Sequence, residues 1–184
     1  MKSAKKILAL ILAGVMALAM LTGCGKSTSL NRTIAEGVAE YLIADKGLNN
    51  NISVSYQVPE LSRNIAPLFD ENWITHNDTA GYDVLNRTHM VNSKTVEATL
   101  TDILSPYNSA AYVDFRVADV TDVKTPFMEG ANLISSMIVF ATGDSSFDAA
   151  SITSLKVAVT HKTVNDRTYA LYVAIYESVS YTHL

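Results

Sequence analysis

Apolar positions along the 184-residue chain change spacing several times, and each change predicts an element. Ile34, Val38, Tyr41 and Leu42 recur on one helical face. Thr33 and Glu36 have the spacing of a capping box, and Gly47 offers a left-handed stop. Together they predict a first helix from Thr33 to Gly47. Ile52, Val54, Tyr56 and Val58 then alternate with polar residues, as in a half-buried strand. From Pro59 the spacing turns helical again through Leu61, Ile65, Leu68 and Phe69, with Pro67 expected to kink or end the helix. Residues 72–93 lose all periodicity and predict a polar loop. A short helix is expected from Thr95 to Leu104, stopped before Pro106, and a strand with one wet face over residues 111–120.

Thr125-Pro126 is a helix start, because proline is tolerated at the first helical position. Phe127, Ala131, Ile134, Ile138 and Ala141 carry helical spacing to a stop at Gly143, although the run from Met137 to Phe140 also suits a strand. Residues 155–163 and 168–177 alternate on either side of Asn165-Asp166, two residues that tolerate positive φ and predict a tight hairpin. Helices before and between antiparallel strands define an α+β class. The expectation is one domain over residues 33–177: a small antiparallel sheet packed with helices and closed by a C-terminal β-hairpin.

The two ends read differently. Lys2, Lys5 and Lys6 precede an apolar run of 15 residues, Ile7 to Leu21, short for a spanning helix and typical of a signal peptide. It ends in Leu21-Thr22-Gly23-Cys24, which resembles a lipobox. Residues 1–23 are expected to be a lipoprotein signal peptide, Cys24 the diacylated residue and residues 24–32 its tether. The partner this implies is the bilayer, held through acylated Cys24 on the extracytoplasmic face of a bacterial membrane. Cys24 is also the only cysteine, so no internal disulfide is available. At the other end, Ser178 to Leu184 is what TCT-GTC-TCT-TAT-ACA-CAT-CTN encodes. From its second base that DNA resembles a transposon end used in sequencing libraries, so residues 178–184 are expected to be adapter-derived.

Composition narrows the partners further. Beyond residue 23 the chain has 11 basic against 18 acidic groups, a net charge of −7, which disfavours binding to nucleic acid. The mean hydropathy of +0.16 owes much to the leader. No Walker loop, Gly-x-Ser-x-Gly elbow, Gly-x-Gly-x-x-Gly turn or His-Glu-x-x-His pair is present. His76, Asp78, Asp83 and His89 share the 72–93 loop, where solvated histidines and convergent metal ligands are both open readings. His161 alternates to the apolar side of its strand with Val157 and Val159, which suits a packed or edge histidine. The expected function is a non-catalytic module binding an extracellular glycan, lipid or protein, with no cofactor. The alternative is a hydrolase or metal-dependent enzyme built around His76 and His89. Trp73, His76, Tyr82 and His89 are the binding candidates, because loops on a rigid scaffold concentrate contact residues, with Trp73 alternatively capping the core beside Leu68 and Phe69.

Several pieces resemble the CAP superfamily of cysteine-rich secretory, antigen-five and pathogenesis-related proteins. They are Lys46-Gly47-Leu48, then Leu61 and Ala66, then Trp73-Ile74-Thr75-His76, and finally Ile152-Thr153-Ser154-Leu155 with Tyr169-Ala170-Leu171-Tyr172-Val173. The resemblance spans about residues 33–177. It implies a cleft that binds metal through two histidines and two acids, of which only His76 has a counterpart. The Gly-Glu-Asn and Ser-Pro-Gly-His motifs are missing, so the resemblance implies a cleft without its metal set.

Overall fold

The computed structural model describes residues 28–178, so Cys24, the leader and residues 179–184 lie outside the described residues. The chain is α+β. Helix α1 (Thr28–Lys46) leads to a short strand β1 (Ser53–Ser55). Helix α2 follows, a π-helical turn Leu61–Ile65 continued by Ala66–Leu68. Two small hairpins come next: β2 (Ile74–Asn77) with β3 (Tyr82–Leu85), and β4 (Met90–Val91) with β5 (Lys94–Thr95). Then come α3 (Val96–Ile103), β6 (Tyr112–Asp119), α4 (Pro126–Ser135), β7 (Ile138–Gly143), β8 (Ile152–Val164) and β9 (Arg167–Ser178).

The main sheet has the order β1-β8-β9-β6-β7, with β9 at its centre. All its pairings are antiparallel except β1 with β8, which run parallel. The closing hairpin is as expected: Asn165 and Asp166 have φ of 47° and 64°, a type I′ turn that matches the twist of the flanking strands. Alternation along each strand sorts the core into two layers. Phe115, Phe140, Leu171 and Val173 face α2, α3 and Trp73. Leu155, Val157, Val159, Tyr172 and Tyr176 face α1 and Leu133 of α4.

Four local expectations are corrected. Helix α1 begins at Thr28, so Thr33 and Glu36 sit inside it, and Glu36 is held by Arg32 at 2.6 Å, not turned back as a cap. The helix after Thr125-Pro126 stops at Ser135, and the apolar run beyond it is strand β7. Ser136 makes the break: its backbone turns extended, its hydroxyl donates to the Val117 carbonyl and also accepts from the Ile138 N–H. Gly143, expected to stop a helix, instead ends β7 at φ 87°, where a Cβ would lie 2.3 Å from the Ala111 carbonyl oxygen. Lastly, residues 72–93 hold a 3₁₀ turn and two hairpins rather than an irregular loop. Thr95 and Thr125 do cap their helices, accepting from the N–H groups of Ala98 and Met128.

Candidate functional site

A groove of about 610 Å³ runs along one edge of the sheet. Its origin is a mismatch of strand lengths. Strand β1 pairs with β8 only at Ser154, Leu155 and Lys156, whereas β8 runs on to Val164. The chain leaves the sheet through Tyr56, Gln57 and Val58, and Pro59, which lacks an N–H, starts α2. Three consecutive residues of β8, Ala158, Val159 and Thr160, line the groove. Consecutive strand side chains point to opposite faces, so the groove lies against the strand's edge rather than against either face. Asn31, Arg32 and Ala35 of α1 form one wall, and Leu61, Ser62 and Arg63 of α2 form the other.

The polar lining is cationic. Two arginines line the groove and no Asp or Glu does among the described residues, in a chain that is acidic as a whole. Arg32 is fixed, its guanidinium 3.9 Å above the Tyr56 ring centre while Nε holds Glu36. Burial pushes the Tyr56 hydroxyl up, Glu36 and Glu40 adding to it and Arg32 opposing, so it stays a hydrogen-bond donor at neutral pH. Arg63 is exposed and makes no ion pair among the described residues.

The residues singled out in the sequence lie elsewhere. Trp73 is fully buried, between Phe69 and the core, so its role as a surface contact is withdrawn. His76 and Tyr82 are exposed on the β2–β3 hairpin, where His76 Nδ1 donates to Asp83 Oδ1 across the strands at 2.8 Å. Both partners of that pair are more than half exposed, where ion pairs contribute ~0–1 kcal/mol. His89 is half-buried before β4, its carbonyl accepting from the Val96 N–H. Among the described residues no three His, Cys, Asp or Glu side chains gather as metal ligands. Strand β3 packs beside β7, so these candidates flank the sheet edge opposite the groove.

Two polar networks border the α1 face. His161 bridges Asn31 Oδ1 and Glu129 Oε2, each at 2.7 Å, and so ties α1 and α4 to β8. Both its ring nitrogens are occupied, which leaves none to take a proton from a nucleophile; the packed reading of His161 holds. Under α1, Asp114 receives Arg116 Nε and lies 3.5 Å from the Tyr172 hydroxyl, beside a cavity of about 120 Å³ that Tyr41, Tyr112 and Tyr176 also line. Burial drives the Tyr172 and Tyr176 hydroxyls up, Asp114 adding to it, so they serve as donors and not as bases.

No family model, curated protein or solved structure matches this chain. Sequence reasoning missed the groove residues Arg32, Tyr56 and Arg63. The available signal was Pro59, which caps the length of β1 next to a far longer alternating run at residues 155–163.

Proposed function

We propose that this is a lipid-anchored extracytoplasmic binding module, and that the groove beside β8 is where its ligand sits. The open groove carries this reading: it combines a strand edge that β1 leaves uncovered, two walls of mixed polarity and, in Arg63, an arginine with no ion pair among the described residues. The anchor rests on the basic start, the apolar run and the Leu-Thr-Gly-Cys junction. Three residues separate Cys24 from Thr28, a covalent span of at most ~14 Å. Asn31, in the first turn of α1, lines the groove, so an acylated Cys24 would keep the binding site close to the bilayer. The likeness to CAP domains belongs to this proposal. Its quoted pieces fall on the end of α1, on α2, at the start of the β2–β3 hairpin and on the closing hairpin, in that order.

Two measurements test the two halves. Cys24→Ala should move the protein from the membrane to the soluble fraction with the mass of the unacylated, uncleaved or mis-cleaved chain; membrane retention at unchanged mass refutes the anchor. A photo-crosslinking residue placed at Ser62, in the groove, should give an adduct in intact cells. The same residue at Thr101, on the exposed side of α3, should not. Equal yields from both positions refute the groove.

A further inference from the structure

Within the groove, the backbone of β8 itself is the best-defined binding feature. The type I′ turn places a hydrogen bond between the Val164 carbonyl and the Arg167 N–H, which makes Val164↔Arg167 a hydrogen-bonded pair of the antiparallel ladder. Such pairs alternate along the strand, so Lys162, Thr160 and Ala158 also spend their backbone groups on β9. The N–H and C=O groups of Thr163, His161 and Val159 therefore point the other way, to the edge that β1 has left. No backbone partner from another loop or turn reaches them among the described residues. Val159 is one of the residues lining the groove.

Resting on the groove reading above, we propose that β8 accepts an added strand from a partner polypeptide, an extended segment bearing an acidic side chain. An extended chain laid along this edge pairs its backbone with Val159 and His161 and sends alternate side chains toward α1 and toward α2. It meets Ala35 on the first wall and Leu61 on the second, with a guanidinium on each side: Arg32 and Arg63. Arg32 is already engaged by Glu36 and Tyr56, so the exposed Arg63 is the group that takes the partner's carboxylate. Natural sheets blunt or cover an edge of this kind, since an uncovered one recruits strands. Here the opposite edge, β7, has β3 packed beside it, whereas the β8 edge opens into the groove. With two arginines and no acid in its lining, the groove selects for a partner segment of opposite local charge.

The test uses the full acylated protein in detergent micelles, panned against a displayed library of random dodecapeptides. Enriched peptides should be acidic and rich in β-formers. In titrations Arg63→Glu should weaken them at least tenfold. The decisive reading is amide hydrogen exchange: a bound peptide should slow Val159 and His161 at least tenfold, while Ala158 and Thr160, already bonded to β9, change little. Val159→Pro removes one edge N–H and should also weaken binding; if it unfolds the domain, exchange in the wild type still decides. Peptides that compete with the Ser62 crosslink but leave Val159 and His161 exchanging as before overturn strand addition and spare the groove. Failure to enrich any peptide, together with binding to phosphatidylglycerol vesicles that Arg63→Glu abolishes, overturns it in favour of a membrane surface.

Discussion

Trp73→Ala is expected to lower unfolding stability by ~3 kcal/mol, a drop of several degrees or more in Tm. The indole is fully buried and packs edge-on to Phe69, with ring centres 5.7 Å apart; Phe69 in turn meets Tyr169 of the central strand at 5.2 Å. Truncating a buried Trp costs ~3–5 kcal/mol, the spread reflecting how far the site collapses. The lower end applies here for a specific reason. The indole N–H is buried without a hydrogen-bond partner among the described residues, and such an orphan donor costs ~1–3 kcal/mol in the wild type. Alanine removes that penalty along with the packing. Trp73→Phe keeps most of the ring and also removes the orphan donor, so it should cost less than half as much. A Trp73→Ala variant as stable as wild type in chemical denaturation would refute this packing role.

The same residue illustrates what could be read from the chain. Asn165-Asp166 between two alternating runs, Thr125-Pro126 and Thr95 were legible because turn and cap chemistry is local: the residues that make the bond are the ones in view. Ser136 was not, since it breaks the helix by reaching a carbonyl on β6 that is distant in sequence. Strands β2 to β5, two to four residues each and largely exposed, are too short to display alternation. Trp73 was placed among polar neighbours, yet the 3₁₀ turn Glu71–Trp73 rotates it inward while Asp70 caps that turn through the Asn72 N–H. The groove was the least legible feature. It arises from the register of β1 against β8, a long-range pairing; Pro59 limits the length of β1 but does not place that strand beside β8.

Asp114→Ala is expected to cost ~3 kcal/mol as well, by a different route. Asp114 is 2% exposed and accepts Arg116 Nε at 2.9 Å; Arg116 is three-quarters buried and also donates to the Ile134 carbonyl. Removing one member of such a pair strands the other, which costs ~3–5 kcal/mol, and the residual exposure of Arg116 favours the lower end. The pair is nevertheless poor value as an attraction. Burial lifts the Asp114 carboxyl above its ordinary range, and the Arg116 charge, though it pulls the other way, does not fully compensate. Replacing both residues, as Asp114→Val with Arg116→Leu, should therefore recover most of the loss. The pH dependence follows with a definite sign. A carboxyl with a raised folded-state pKa contributes stability that is complete below its unfolded pKa and is lost as pH rises through the folded value. Relative to Asp114→Asn, the wild type should thus gain stability as pH falls from 7 toward 4. A difference that shrinks on acidification would mean that Arg116, not burial, governs this carboxylate. The network would then be a net attraction holding α4 on the sheet through the Ile134 carbonyl, and the double replacement should fail to restore it.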